Sequence, residues 1–300
     1  MTTEYGSRAE AAARTATVSR WLPFSCVDGP GNRLVLFLQG CNFRCPGCHN
    51  PHTIGMCDHC GDCVPACPSG ALTLVEGRVR WQAALCTDCD RCIDDCPRHA
   101  SPKTSQMSVA EVLALLRRYG PLLTGITVSG GEATTQLPFV IALFTAIKAA
   151  PDLAHLSCLL DSNGSLAELG WQRLLPVLDG AMLDLKGWRD SVHHKLTGHG
   201  RERVLASLQL LASHGKLAEL RLLHVPGRSD FLDADGKLEA GLASFLQSLG
   251  PVPIRLNGFR HHGVRGVATS WQEADREALT RLAAELRERG LGPVSLPAIC

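Results

Sequence analysis

Short apolar runs alternate with longer stretches of helical periodicity along most of the chain. Because the runs are almost continuously apolar, they predict strands buried on both faces, as in a parallel sheet. The predicted strands are residues 34–39, 125–129, 155–161, 180–186, 219–225 and 253–258. The predicted helices are residues 109–119, 137–149, 165–178, 201–214, 234–249 and 271–289. Ser165 and Glu168 predict a capping box at the start of the third helix. This alternation predicts an α/β fold of parallel βα units, either an incomplete barrel or an open doubly wound sheet.

Residues 53–104 interrupt this alternation with an internal repeat. Segments 57–68 and 86–97 carry the same pattern of cysteines, and the second starts 29 residues after the first. The repeat therefore predicts a duplicated unit inserted between the first strand and the first long helix.

Composition and charge exclude several classes of protein. With 45% hydrophobic residues, a chain of 300 residues can bury a core without disulfides. The formal charge of +1 gives no electrostatic reason to expect binding to nucleic acid or membranes. No apolar run approaches the roughly 18 residues that span a bilayer, and residues 1–17 lack the apolar stretch of a signal peptide. We therefore expect a cytoplasmic protein.

The cysteines indicate the chemistry. Of the 14 in the chain, all but Cys26, Cys158 and Cys300 lie between Cys41 and Cys96. Disulfide frameworks are typical of small secreted domains, so clustered cysteines in this chain favour metal binding. The three outlying cysteines have no predicted role, and Cys158 is most simply a buried core residue.

Each half of the repeat reads C-x2-C-x2-C-x3-C-P, the spacing of bacterial two-cluster ferredoxins. In that pattern the fourth cysteine binds the other cluster, so ligation is expected to cross between the halves. The first predicted [4Fe–4S] ligand set is Cys57, Cys60, Cys63 and Cys96. The second set is Cys67, Cys86, Cys89 and Cys92. Structural zinc is the alternative, because C-x2-C pairs also suit tetrahedral zinc.

A separate motif, C-x3-C-x2-C, follows the first predicted strand at Cys41, Cys45 and Cys48. Three thiolates on a four-iron cluster leave one iron open, as a catalytic metal requires. The alternative is a third electron-transfer cluster whose last ligand is remote, such as Cys26, Cys158 or a histidine.

The three-cysteine motif on a loop after a first strand resembles the radical S-adenosylmethionine (SAM) superfamily. Residues 25–51, SCVDGPGNRLVLFLQGCNFRCPGCHNP, resemble the glycyl-radical-enzyme activating enzymes, and the insertion resembles their subgroup with two ferredoxin-type clusters. The resemblance runs from Ser19 onward. It implies a partial (β/α)6 TIM-like barrel at 18–52 and 105–300, after an N-terminal extension at 1–17. The inserted ferredoxin-like domain is 53–104, with halves of about 53–76 and 77–104.

The resemblance implies a reaction, cofactors and partners. One iron of the three-cysteine cluster chelates SAM, and one-electron reduction of the sulfonium breaks its C5′–S bond. The 5′-deoxyadenosyl radical then takes hydrogen from a glycine Cα of a partner glycyl radical enzyme. The implied cofactors are three [4Fe–4S] clusters and SAM, and the implied electron donor is a flavodoxin or ferredoxin. The resemblance also implies a monomer.

The resemblance also implies the site residues. Catalytic roles fall on Cys41, Cys45, Cys48, Lys186 and Asp28. The cofactor contacts are Gly47, Cys48, His49, Gly130, Gly131, Glu132, Asp184, Leu185, Lys186 and His261. A monovalent cation is implied at Asp161, Ser162, Met182 and Asp184. In the Ser129-Gly130-Gly131-Glu132 motif, Ala133 follows where the family has proline.

Simpler interpretations stay open for several of these residues. The glycine pair also suits an ordinary turn, and Asp28 suits a Gly-Pro turn. Asp161 and Asp184 suit helix capping, and His262 competes with His261 for one role. At the level of function, the alternatives are a radical SAM enzyme acting on a small molecule or peptide, and a ferredoxin-type electron-transfer protein.

Overall fold

The computed structural model describes residues 12–296, which form two compact units. The first contains the chain up to Asn42 and Asn50–Ser157, and the second contains Phe43–His49 and the chain from Cys158 onward. Cys300 and residues 1–11 of the expected N-terminal extension lie outside the described residues. None of the described helices combines the length and apolar character needed to cross a bilayer.

Within residues 12–296, six strands and three complete α-helices belong to the first unit. They are β1 (Thr15–Ser25), β2 (Arg33–Leu38), β3 (Leu72–Val75), β4 (Arg78–Trp81), β5 (Ser105–Ser108), β6 (Gly125–Gly130), α1 (Arg91–Asp94), α2 (Val109–Tyr119) and α3 (Leu137–Ala149). Strand β2 pairs in parallel with β6 and antiparallel with β1, and β1 pairs antiparallel with β5. Five of the six β2 positions are buried because both of its faces are covered.

Strands β3 and β4 form a separate hairpin between the two halves of the cysteine repeat. Glu76 and Gly77 both have positive φ, at 50° and 69°, as a two-residue type I′ turn requires. A small core of Cys63, Leu72, Val79, Cys92 and Ile93 lies beneath this hairpin.

The second unit is a run of parallel strands with helices between them. The strands are β7 (Ser157–Ser162), β8 (Gly180–Leu185), β9 (Leu217–His224), β10 (Ile254–Gly258) and β11 (Val294–Ser295). They pair in chain order, each parallel to the next. The helices are α4 (Glu168–Leu174), α5 (Asp190–Thr197), α6 (Glu202–Ser213), α7 (Ala240–Ser248) and α8 (Arg276–Glu288).

All six predicted strands and all six predicted helices are present, so the α/β class with mostly parallel strands is confirmed. Cys158 is fully buried in β7, as predicted. The sequence patterns did not reveal β1, β5, the β3–β4 hairpin, α5 or β11. The predicted domain boundaries remain a prediction, since the two compact units divide the chain differently.

One local prediction was wrong. Helix α4 begins at Glu168 after an uncapped Ala167, not at Ser165. The Ser165 N–H instead donates to Asn163 Oδ1 at 2.9 Å, in a side-chain-stabilised turn. A complete capping box is present at α2, where Ser108 and Glu111 each bond the other's backbone N–H.

Candidate active site

The three-cysteine motif begins in the first unit, directly after β2. The Gly40 N–H donates to the Thr53 carbonyl at 2.8 Å, and the Cys41 N–H donates to the Ile54 carbonyl at 2.9 Å. Gly40 has a φ of 99°, which a residue with a Cβ rarely adopts. The backbone at Cys41 is therefore held by the segment that opens the cysteine repeat.

The glycine pair after β6 packs against the same backbone. A Cβ on Gly130 would lie 2.1 Å from the Leu38 carbonyl oxygen, and one on Gly131 would lie 2.5 Å from the Gly40 oxygen. The Gly131 N–H also donates to Leu38 at 3.0 Å. Glycine is therefore required at both positions for the end of β6 to reach the start of the cysteine loop.

Glu132 is buried next to this contact, with 1% of its surface exposed. Its N–H donates to the Gly40 carbonyl at 2.8 Å. Its carboxylate accepts from the Thr134 N–H at 3.0 Å and from the Thr134 hydroxyl at 2.6 Å. Ala133 follows as the first residue of a short 3-10 turn, so the turn forms without the family's proline.

Asp28 lies in the turn between β1 and β2. Its carboxylate accepts from the Ser25 hydroxyl at 2.6 Å, and its carbonyl accepts from the Thr127 hydroxyl at 2.6 Å. Thr127 also accepts from the buried Arg33 Nε at 2.7 Å. Because Thr127 is in the middle of β6, the turn folds back over the sheet instead of extending away from it.

In the second unit, Lys186 lies among acidic groups. Its ammonium is 3.1 Å from Asp184 Oδ2, and its charge acts on the thiols of Cys45 and Cys48. Burial lowers the pKa of Lys186, but these negative charges outweigh it and hold that pKa above its ordinary value. Burial raises the pKa of Cys45, and the Lys186 charge opposes that rise. Cys45 therefore lies beside a cation that favours its thiolate form.

Arg221 on β9 was missed by the sequence analysis. Its guanidinium lies 2.9 Å from Asp161 Oδ1, 2.6 Å from Glu219 Oε1 and 3.1 Å from Met182 Sδ. Burial lowers its pKa, yet the charge of Asp161 and its other acidic neighbours keep that pKa above the ordinary value. The signal available was a charged residue inside an apolar strand. Neither Asp161 nor Asp184 caps a helix, since each lies within a strand.

The histidine predictions involve one aromatic cluster. His49 and Phe259 have ring centroids 6.4 Å apart, and a Cβ on Gly47 would meet the Phe259 and Trp271 rings at 3.1 and 3.3 Å. His261 is 5.6 Å from Phe259 in an edge-to-face pair, and its Nε2 is 2.7 Å from the Trp271 carbonyl oxygen. His261 is therefore tied to the segment that carries Gly47 and His49.

The backbone of the cysteine repeat is itself duplicated. Positive φ angles occur at equivalent positions of the two halves, 29 residues apart: His59 with Asp88, Gly61 with Asp90, and Gly70 with His99. Aspartate and histidine in this region of φ are uncommon. The recurrence shows that the two halves share a loop conformation as well as a spacing.

Each predicted ferredoxin-type ligand set lines its own cavity. The first cavity, about 320 Å³ with the open solvent at its mouth included, has Cys57, Cys60, Cys63, Cys92 and Cys96 in its lining. The second, about 290 Å³ measured in the same way, has Cys67, Cys86, Cys89 and Cys92 in its lining. The grouping places Cys96 with the first half and Cys67 with the second, and Cys92 belongs to both walls.

None of the described cysteines is in a disulfide. Within residues 12–296, no group of three or more His, Cys, Asp or Glu side chains stands ready to hold a single metal ion. Burial raises the pKa of Cys63 and of Cys92 to about 11. Binding of a metal to these thiols would therefore release their protons.

Comparisons with known proteins agree with the motifs. Residues 35–231 match the model of the radical SAM superfamily. The chain is 32% identical over 218 residues to a pyruvate formate-lyase-activating enzyme of Streptococcus mutans, covering 72% of this chain and 68% of that protein. It is 29% identical to a benzylsuccinate synthase activating enzyme of Thauera aromatica, covering 89% and 88%. QueE from Escherichia coli is similar in structure, with a TM-score of 0.56, 14% identity, and coverage of 99% and 100%. That last likeness concerns the fold alone.

Proposed function

The chain belongs to the radical SAM superfamily, among the glycyl-radical-enzyme activating enzymes, and on that basis we propose that it installs a glycyl radical on a separate protein. The observation that carries the proposal is the three-cysteine motif within the matched residues 35–231. The Lys186–Asp184 pair beside Cys45 and Cys48 adds to it.

A radical SAM enzyme carries a [4Fe–4S] cluster and uses SAM. Cys41, Cys45 and Cys48 fit such a cluster because they are reduced thiols on one loop, with a cation beside the second and third. When bound, the cluster supplies one electron to the sulfonium of SAM, whose C5′–S bond then breaks homolytically.

The chain's own residues bind and orient the cofactor. Lys186 is a cation suited to the carboxylate of SAM, and Asp184 holds its ammonium in place at 3.1 Å. Gly130 and Gly131, which pack against the backbone where the cysteine loop starts, are proposed to contact the cofactor from the end of β6. His49 and His261, which pack around the buried Phe259, provide rings against which an adenine can stack. Leu185, Gly47 and Glu132 complete the proposed contacts.

Asp28 is proposed to lie near the partner's glycine segment. Its turn folds onto the sheet at Thr127, two residues before Ser129-Gly130-Gly131-Glu132. Its carboxylate already accepts from Ser25, which fixes its direction.

The two cysteine-lined cavities support two further [4Fe–4S] clusters, held by the sets Cys57, Cys60, Cys63, Cys96 and Cys67, Cys86, Cys89, Cys92. Each cavity brings together the four cysteines of one crossed set, which the ferredoxin pattern requires. The segment 53–104 is then a ferredoxin-like insertion in a barrel formed by 18–52 and 105–300.

The residues expected for a monovalent cation do not fit an additional cation. Asp161 is paired with Arg221 at 2.9 Å, and Asp184 is paired with Lys186 at 3.1 Å. The Arg221 guanidinium also contacts Met182 Sδ. A third positive charge there would be repelled by two that are already present.

The partners follow from the reaction. The protein substrate is a glycyl radical enzyme, and a flavodoxin or ferredoxin is the proposed electron donor. We propose that the activator acts as a monomer in the cytoplasm, with no role in nucleic-acid or membrane binding.

The test is anaerobic reconstitution of the full chain with iron and sulfide, followed by incubation with SAM, a low-potential reductant and a candidate glycyl radical enzyme. We expect 5′-deoxyadenosine and a glycyl radical signal by electron paramagnetic resonance. Cys45→Ser is expected to abolish both products. Cys26→Ser is the control for release of 5′-deoxyadenosine, because this exposed thiol lies outside the three-cysteine motif and both halves of the repeat.

Two results would contradict the proposal. Release of 5′-deoxyadenosine with no glycyl signal on any candidate partner would favour a small-molecule or peptide substrate. Absence of 5′-deoxyadenosine from an iron-loaded protein would leave the electron-transfer alternative.

A further inference from the structure

The two cysteine-lined cavities are built from equivalent backbone positions but carry opposite charge. Asp58 and Asp62 line the first cavity. The residues 29 positions later, Thr87 and Arg91, line the second. The duplication therefore keeps the loop conformation and exchanges two carboxylates for a hydroxyl and a guanidinium.

Lys103 adds a second cation to the wall of the second cavity. Its side chain is only 14% exposed, and its ammonium lies 2.7 Å from Asp90 Oδ1 and 3.0 Å from Asp88 Oδ1. Those carboxylates are 53% and 84% exposed and are outside the described lining of the cavity. Water therefore screens the two exposed anions more than it screens the less exposed Lys103 side chain, which lines the cavity.

Arg98 is the corresponding cation near the first cavity, but here the carboxylates line the cavity and the cation does not. It pairs with Asp58 and lies 3.8 Å from Asp62, with 41% of its side chain exposed. The carboxylates belong to the described lining of the cavity, whereas the guanidinium does not.

Trp81 gives the second cavity a further feature. Its indole Nε1 is buried and has no hydrogen-bond partner among the described protein atoms, yet the side chain lines the cavity. Indole N–H is a donor only, and buried donors are normally satisfied. An acceptor inside the cavity, such as a cluster sulfur, would satisfy it.

We propose that the Cys67, Cys86, Cys89, Cys92 cavity holds the auxiliary cluster with the higher reduction potential, set by Lys103 and by a hydrogen bond from Trp81 to a cluster sulfur. This inference rests on the proposed pair of auxiliary clusters. One-electron reduction, by a low-potential donor, adds one negative charge to a cluster and makes or breaks no covalent bond. Facing cations and N–H donors stabilise the reduced form, and facing carboxylates destabilise it.

Lys103 and Trp81 are then tuning residues, since neither is a ligand. An electron shared between the two clusters resides mainly on the second at equilibrium. Transfer onward through the first is thermodynamically uphill, so the first cluster is reduced last.

The test is a potentiometric titration of the reconstituted full chain, followed by electron paramagnetic resonance. Cys60→Ser and Cys89→Ser, equivalent positions of the two halves, identify which signal belongs to which cavity. The signal of the SAM cluster is identified by its change on addition of SAM.

Lys103→Met is expected to lower the equilibrium constant for reduction of the second cluster about tenfold, equivalent to about 59 mV for one electron. Trp81→Phe is expected to lower the same equilibrium constant by a smaller factor. Asp62→Asn should raise the potential of the first cluster. Trp21→Phe and Lys237→Met, which lie outside both cavity linings, serve as controls and should shift neither.

The inference is overturned if both auxiliary clusters assemble and the first is reduced before the second. It is also overturned if neither Lys103→Met nor Trp81→Phe shifts the reduction potential of the second cluster. Analysis of iron separates this failure from that of the auxiliary clusters themselves. If the wild-type protein binds only enough iron for the three-cysteine cluster, the two auxiliary clusters are refuted. This inference then fails with them.

Discussion

Arg221 shows how one side chain can determine what a site accepts. Its guanidinium on β9 links Asp161 on β7 to Met182 on β8 and to Glu219 on its own strand. The apolar run at 219–225 revealed the strand but not these partners, because they depend on which residues the strand register places side by side. Asp184 is the register partner of Arg221, which no spacing along the chain could indicate.

Arg221→Met is expected to destabilise the protein by about 3 kcal/mol, because it leaves the largely buried Asp161 and Glu219 carboxylates without their cation. Because the variant lacks the guanidinium charge, its carboxylates should also bind a monovalent cation in its place. We expect cofactor cleavage by the variant to be faster in potassium chloride than in choline chloride at equal ionic strength.

Wild-type protein should show no such preference between the two salts. Arg281→Met, which breaks an exposed pair with Glu277, is the matched control and should change stability by well under about 1 kcal/mol. A wild-type enzyme that requires potassium would contradict the role given to Arg221.

His261 and His262 are distinguished by their surroundings. His261 contacts Phe259 and the Trp271 carbonyl, and its N–H donates to Glu273 Oε1 at 2.7 Å. His261→Ala should therefore raise KM for SAM about tenfold, the effect of losing one hydrogen bond or stacking contact. His262→Ala should change KM by less than about twofold. Equal effects in steady-state measurements would show that the contacts of His261 do not extend to the cofactor.

At the scale of elements, the contact between the ends of β2 and β6 determines where the cysteine loop starts. The hydrophobic pattern predicted both strands within a few residues, since burial on both faces leaves a clear apolar run. It could not predict that Gly130 and Gly131 touch the backbone at Leu38 and Gly40, because that contact joins residues about 90 positions apart.

Gly131→Ala tests this contact. The new Cβ would meet the Gly40 oxygen at 2.5 Å and the Thr53 oxygen at 2.6 Å, so the backbone must shift. We expect weaker SAM binding by calorimetry, with a fall in affinity of about tenfold or more. Gly120→Ala is the control, because nothing lies within 4 Å of its Cβ position and its φ is −43°. Unchanged SAM affinity would show that the loop start can move without harm.

Helix boundaries show where sequence patterns are reliable. Helix α2 begins at Val109 as predicted, next to a capping box that the pattern analysis did not use. Helix α7 begins at Ala240, after residues predicted to be helical, because Asp233 Oδ1 accepts from the N–H groups of Asp235 and Lys237. Such local side-chain bonds compete with helix formation, and they shortened the predicted segment.

At the scale of the whole molecule, the two regions of the first unit depend on metal to different degrees. The sheet around β2 is buried without any help from thiols, whereas the core under the β3–β4 hairpin is small and contains Cys63 and Cys92. Metal binding to such a core contributes to its folding free energy. The cysteine spacing predicted the ligands, but it could not predict how few apolar residues would accompany them.

Removal of iron by an anaerobic chelator should therefore unfold residues 53–104 selectively. We expect hydrogen exchange to accelerate by at least about a hundredfold at β3 and β4, since loss of roughly 3 kcal/mol of local stability gives that factor. Exchange in β8 and β9 of the second unit should stay slow. Equal protection of the hairpin with and without iron would mean that its core is stable alone.

Cys92 belongs to the wall of both cavities. If the proposed clusters occupy both cavities, each lies against this side chain, and an electron could pass between them without another carrier. The two clusters would then exchange electrons, and the final distribution of electrons would not depend on which cluster was reduced first. Electron donors of different shape could therefore reduce the same enzyme, provided that each could dock near one of the two clusters.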